Sequence, residues 1–147
     1  MADCVFCKIR DGQIPSLRIY EDDRVFCIMD INPLNPGHCL VITKAHGATI
    51  WEADGDDLAA CMRAAKRVAT AIREALRPDG LNVLQANGAA AFQSVPHFHL
   101  HLIPRWKGDG KGFDWTLVPG DKVQIAQTGD RLRAALGTSR GGVERGA

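Results

Sequence analysis

The stretch His97-Phe98-His99-Leu100-His101-Leu102-Ile103 alternates three of the chain's five histidines with large apolar residues. Strict alternation is the period of a half-buried β-strand, so His97, His99 and His101 are expected on one face and Phe98, Leu100 and Leu102 on the other. The apolar set joins a core, and the three imidazoles are expected to line an open surface. At ~3.3 Å per residue, neighbouring histidines sit ~6.6 Å apart and the outer two ~13 Å apart. Two neighbours can share a zinc ion, whose bonds to nitrogen are ~2.0–2.1 Å, but three on one straight strand cannot. Divided roles therefore fit the spacing better than one shared metal.

Outward from this strand, the pattern is that of a mixed fold. Arg18–Glu21 and Val25–Met29 flank the turn-forming pair Asp22-Asp23 and read as a hairpin. Asp30-Ile31-Asn32-Pro33-Leu34-Asn35-Pro36-Gly37 is dense in turn formers, and a third strand follows from His38 to Thr43. Glu52, Asp54, Asp56 and Asp57 precede a long segment in which Leu58, Cys61, Met62, Ala65, Val68, Ala69, Ile72 and Leu76 recur at helical spacing. Arg77 and Pro78-Asp79-Gly80 end that helix. A fourth strand covers Leu81–Gln85, and Pro96 is expected to open the triad strand. One long helix against four or five antiparallel strands gives an α+β sandwich of sheet and helices. Val123–Leu136 has helical character that Gly129 is expected to interrupt. A single domain is expected over residues 1–136, with a disordered Gly/Ser/Arg-rich tail at 137–147.

Composition narrows the function classes. The 147 residues carry 18 basic and 17 acidic side chains, a net charge of +1, too balanced for bulk nucleic-acid binding. The basic residues Arg63, Lys66, Arg67 and Arg73 read as a solvated helix face. No apolar run approaches the ~20 residues of a membrane span, and no secretory pattern opens the chain, so a cytoplasmic protein is expected. Five cysteines cannot all pair within the chain, and a reducing compartment disfavours disulfides. Cys27 and Cys39 fall inside strands, where a buried thiol is the ordinary state. Cys4-Val5-Phe6-Cys7 opens a short helical turn ended by Gly12. A lone C-x-x-C is compatible with zinc, redox chemistry or two plain thiols.

A central imidazole flanked by two others can attack phosphorus while its neighbours donate hydrogen bonds to the developing charge. His99 holds that middle position. The run H-x-H-x-H followed by two apolar residues resembles the signature of the histidine triad (HIT) family of nucleotide-binding proteins. The Asp30-Ile31-Asn32-Pro33 loop entering Pro36-Gly37-His38-Cys39-Leu40-Val41-Ile42 agrees with it. So do Lys44-Ala45-His46, Asn87-Gly88 and Gln93-Ser94-Val95, and together these cover roughly residues 4 to 105.

The resemblance implies a HIT-like fold, an antiparallel sheet of about five strands with one long helix and shorter helices. It implies a hydrolase that attacks the α-phosphorus of a purine nucleotide or nucleotide conjugate, such as a phosphoramidate or acyl adenylate. His99 would be the nucleophile and form a covalent nucleotidyl-histidine. His101 would handle proton and phosphate, and His97 would orient His99 through its carbonyl. Asn87, Gln93 and Ser94 would hold phosphate and leaving-group oxygens. Asp30 would accept from the ribose, with Ile31 and Phe26 in an apolar base pocket. Family members that begin with C-x-x-C and hold structural zinc suggest Cys4, Cys7, His46 and His97 as ligands, a Cys2His2 set. A homodimer, built on the long helix and a strand, is also implied. Hydrolysis of dinucleoside polyphosphates, a nucleotide-binding regulator with incidental catalysis, and a metal-binding module are the competing readings. A uridylyltransferase is disfavoured, because His101 stands where that branch typically carries glutamine.

Overall fold

Two short continuous runs, Val25-Phe26-Cys27-Ile28 and Cys39-Leu40-Val41-Ile42, are apolar on both faces, and a strand of that kind must be covered on both sides. The computed structural model describes residues 3–113 and 115–137 and bears this out. In chain order the elements are α1 (Val5–Arg10), β1 (Arg18–Glu21), β2 (Val25–Met29), β3 (Cys39–Thr43), α2 (Gly55–Leu76), β4 (Gly80–Leu84), β5 (His99–Arg105) and α3 (Lys122–Gly137). The five strands form one antiparallel sheet in the order β1-β2-β3-β5-β4.

One face of the sheet packs on α2. Val25, Cys27, Cys39, Val41, Leu100 and Leu102 meet the helix stripe Ala60, Cys61, Ala64, Ala65, Val68 and Ile72. Burial pushes the Cys61 thiol up to about 12, which fits an inert core role. Asp54 caps α2 by accepting the Asp56 N–H at 2.8 Å, and Arg77 ends it in the left-handed region at φ 51°. The other face packs on α1, where Phe26, Ile28, Leu40 and Ile42 meet Cys4, Phe6, Cys7 and Ile9. Asp22 closes the β1–β2 turn by accepting the N–H groups of Arg24 and Val25 at 2.8 and 3.0 Å. Before β3, Gly37 takes φ +89° beside Leu76 and Pro104, where a Cβ would collide.

Two expectations are corrected. The triad strand starts at His99, and His97 lies before it. The His97 N–H turns back to the Val95 carbonyl at 2.8 Å, so the segment after Pro96 bends before it joins the sheet. Nor do the imidazoles line an open surface, because α1 lays Phe6 edge-on against His97 and His99 and both are buried.

The described residues divide into two compact units between Lys111 and Gly112. In the second, α3 runs unbroken through Gly129, contrary to expectation. An interior glycine costs a helix only about 1 kcal/mol, and Asp121 starts this one by accepting from Val123 and Gln124 at 2.8 and 3.0 Å. The tail expected to be disordered lies, from residue 138 on, outside the described residues. No helix among them is long and apolar enough to cross a membrane.

Candidate active site and metal centre

His99 is set by a backbone contact. Its Nδ1–H donates to the His97 carbonyl at 2.7 Å, which leaves a lone pair on Nε2 in the neutral ring. Burial holds His99 below its ordinary pKa, so the neutral form persists at pH 7. The ring packs against Phe6 at 5.0 Å and His101 at 4.9 Å between centroids.

His101 is set by His38, a residue outside the triad motif. The Leu34 N–H donates to His38 Nδ1 at 2.9 Å, so the His38 proton resides on Nε2. That Nε2–H donates to His101 Nδ1 at 3.0 Å. His101 therefore carries its own proton on Nε2. Burial, then the neighbouring rings of His99 and His38, lowers the His101 pKa to about 4, and burial lowers that of His38. Asp30 Oδ2 lies 3.4 Å from His38 Nε2, and its Oδ1 accepts the Asn32 N–H at 2.8 Å. Asp30, His38 and His101 lie close enough to share a cation, but the hydrogen on His38 Nε2 points along the bond a metal would need. His38 and His101 form a proton-ordered pair instead, with the Asp30 carboxylate beside it.

A cavity of about 330 Å³ ends at His99 and His101. Apolar side chains from α1 and the sheet, including Phe6, Ile9, Ile28 and Leu40, line it, with Asp30, Ile31 and Ser94. Its size suits one nucleobase with its sugar. Ile31 is 89% exposed at the edge, where an entering ligand would cover it. Phe26 does not line the cavity. It shares the face of His99 through the register Phe26↔Ile42↔His99, but it is wholly buried two strands away. Ile28, Met29 and Leu40 provide the wall.

The loop after β4 divides its expected roles. Ser94 reaches the cavity. Gln93 faces inward, accepting from Gly88 N–H at 2.7 Å and donating to the carbonyls of Ala48 and Val95 at 2.6 and 3.1 Å. Asn87 exchanges hydrogen bonds with Gln85 and accepts the Ile50 N–H at 2.7 Å. Both hold the loop's shape.

At the other end of His97 four ligand atoms converge. His97 Nδ1 lies 3.3 Å from Cys4 Sγ, 3.6 Å from Cys7 Sγ and 3.1 Å from His46 Nδ1, and Cys7 Sγ lies 3.5 Å from His46 Nδ1. Zinc bonds of ~2.0–2.1 Å to nitrogen and ~2.3 Å to sulfur give tetrahedral edges of about 3.3 Å for N–N and about 3.6 Å for N–S. The observed separations fit that tetrahedron. His97 Nε2–H donates to the Thr43 carbonyl at 2.7 Å, turning Nδ1 toward the cluster as a metal-bound imidazole requires. With four protein donors the site would be closed and structural.

With this geometry in hand, comparison with known proteins gives the class. The family model described as the HIT domain matches residues 11–108, and the chain belongs to the HIT family. It is 46% identical over 107 residues to the adenylylsulfatase HINT3 of Arabidopsis thaliana, covering 73% of this chain and 54% of that one. It is 34% identical over 140 residues to the adenosine 5'-monophosphoramidase HNT1 of Candida albicans, covering 92% of each. Among solved structures, a zinc-bound histidine triad family protein from Mycobacterium smegmatis matches with a TM-score of 0.72 and 39% identity, over 95% of this chain and 96% of that one.

Proposed function

We propose that the protein hydrolyses nucleotide conjugates, with adenosine phosphoramidates or acyl adenylates as the leading substrates, by attack of His99 on the α-phosphorus. The observation that carries this reading is the unprotonated Nε2 of a buried His99, held in that tautomer by the His97 carbonyl at the end of an apolar cavity. The base enters the cavity, and Asp30 accepts from the sugar hydroxyls. His99 Nε2 then forms an N–P bond as the bond to the leaving group breaks. His101 donates an Nε2–H hydrogen bond to the phosphoryl oxygens, Ser94 hydrogen-bonds them as well, and a departing amine takes its proton from solvent. Water next attacks the phosphorus as the N–P bond breaks, which returns His99 to its neutral form and releases the nucleotide and a proton to solvent. The activities named for the relatives from Arabidopsis and Candida support the reaction class.

Zinc held by Cys4, Cys7, His46 and His97 would crosslink the amino-terminal turn to the segment that carries the His97 carbonyl. The zinc-bound mycobacterial relative supports that assignment. The unpaired cysteines support a reducing, cytoplasmic setting. A homodimer is supported by the outer edge of β4 and its neighbourhood on α2. Val83 and Met62 there are exposed and form one apolar groove with Ala59, Ala65 and Ala69. Sedimentation showing only monomer at micromolar concentration would remove the dimer.

Initial rates on adenosine phosphoramidate, an acyl adenylate and a dinucleoside polyphosphate test the proposal. It expects the first two to be turned over faster. A preference for the dinucleoside polyphosphate would move the enzyme to that branch. Nucleotide binding with turnover no better than His99→Ala would make it a regulator.

A further inference from the structure

Phe92 is strained and gets nothing back from the fold. The loop that carries it is closed on itself. The Gly88 carbonyl accepts the N–H groups of Ala91 and Gln93, each at 3.1 Å, and the Phe92 N–H donates to the Ala89 carbonyl at 3.0 Å. This closure puts Gly88 at φ +87°, ψ 163°, a region open to glycine, and Phe92 at φ +63°, ψ 32°, in the left-handed region. Glycine or asparagine adopts that conformation cheaply, whereas a bulky side chain there is an outlier. Arg77, the other described residue of this kind, ends a long helix, where the conformation is routine. Phe92 is 91% exposed, so no packing offsets its strain.

Its position is informative. Ser94, two residues on, is part of the lining of the cavity that ends at His99 and His101, so Phe92, which is outside that lining, lies within about 7 Å of chain from the cavity wall. Gln93 between them is pinned inward. Its bond to Ala48, and that of Asn87 to Ile50, tie this loop to a second one that presents Ile50 and Trp51, 44% and 79% exposed. Backbone strain of this kind clusters at functional sites. In a displacement at phosphorus the leaving group departs opposite the attacking His99 Nε2, away from that ring and the base cavity.

We infer that Phe92 is the wall of a leaving-group subsite, an aromatic platform for conjugates whose leaving amine or acyl group is itself apolar or aromatic. The inference rests on the nucleotidyl-hydrolase reading and specifies its substrate class. Phe92 is a specificity residue that touches the departing group and takes no part in bond making.

The test compares wild type with Phe92→Gly on two substrates, unsubstituted adenosine phosphoramidate and its N-phenethyl derivative. An aromatic contact of ordinary strength predicts that the kcat/KM ratio, phenethyl over unsubstituted, falls about three- to tenfold in the variant. Phe92→Tyr should restore the ratio. Phe92→Gly should also raise the thermal midpoint by about 2–4 °C as the strain is released. An unchanged ratio overturns the inference, and so does a lowered midpoint. A change of oligomeric state in Phe92→Gly would make the patch a protein contact and overturn it as well. If wild type turns over neither compound, the hydrolase reading fails separately. Equilibrium binding of the two compounds then decides the subsite: a phenethyl preference lost in Phe92→Gly supports it, and equal preferences overturn it.

Discussion

Replacing His38 by phenylalanine removes the group that sets the His101 proton while keeping an aromatic ring at the position. Two hydrogen bonds disappear, the Nε2–H donation to His101 at 3.0 Å and the acceptor for the Leu34 N–H at 2.9 Å, and with them the 3.4 Å approach of Asp30 Oδ2 to Nε2. His38 is 5% exposed, so water does not readily replace it, and a buried N–H without a partner costs about 1–3 kcal/mol. We therefore expect Phe at position 38 to lower stability by roughly 1–3 kcal/mol, about 2–10 °C in the thermal midpoint for a chain of this size. The effect on catalysis has a different origin. Without the His38 donor, His101 can place its proton on Nδ1, pointing away from the phosphate, and losing about 1–2 kcal/mol of orientation slows turnover about 5- to 30-fold. His38 does not line the cavity, so the loss should fall on kcat more than on KM. Steady-state kinetics on adenosine phosphoramidate, with the ¹⁵N shifts of His101, measure both effects. A folded His38→Phe protein with wild-type kcat and an unshifted His101 tautomer would refute the proton-ordering argument.

Protein purified without added metal should contain about one zinc per chain, measured by elemental analysis, and Cys4→Ala should lower both the zinc content and the thermal midpoint. A content near zero with Cys4→Ala as stable as wild type would remove the metal centre. The pH dependence follows from the lowered histidines. His101 titrates at about 4 when folded and near its ordinary ~6.5 when unfolded. Between those values the unfolded chain binds more protons, so this contribution to stability is present above pH ~6.5 and is lost as the pH falls toward 4. Denaturant melts at pH 7, 5.5 and 4.5 should show that decline. Because His99 is also lowered and must be neutral to attack, the acid limb of kcat/KM should lie below pH 6.5. A limb centred above 6.5 would contradict the burial argument.

The sheet and the long helix are legible because each leaves a pattern: alternation over His97–Leu102, a short apolar run at Val25–Met29 after a turn-forming pair, and a spacing of three to four over Leu58–Leu76. The zinc ligand set came from the family resemblance, since C-x-x-C alone left three chemistries open. What could not be read depended on register and on turns. His38, Leu40 and Ile42 alternate, and Leu40 pairs with His101 while Ile42 pairs with His99. That puts His38 on the triad's face, diagonal to His101, but only once β3 is known to neighbour β5. Phe26 misled for the matching reason: its face was right, and its distance across the sheet and its cover by α1 were not in its own sequence neighbourhood. The bend at His97 was hidden by perfect alternation, which a turn stabilised by the Val95 carbonyl can mimic. The strain at Phe92 comes from loop closure by Gly88 and Gln93 and has no periodic signal at all.

Attack by His99 requires that it become covalently linked to the nucleotide. Wild-type protein mixed with adenosine phosphoramidate, quenched within milliseconds and analysed by intact mass and peptide mapping, tests it most directly. An acid-labile adenylyl group should appear on His99, formed and discharged fast enough to carry turnover, and should be absent in His99→Ala. Full turnover with no adduct at any quench time, or a His99→Ala protein as fast as wild type, would contradict it.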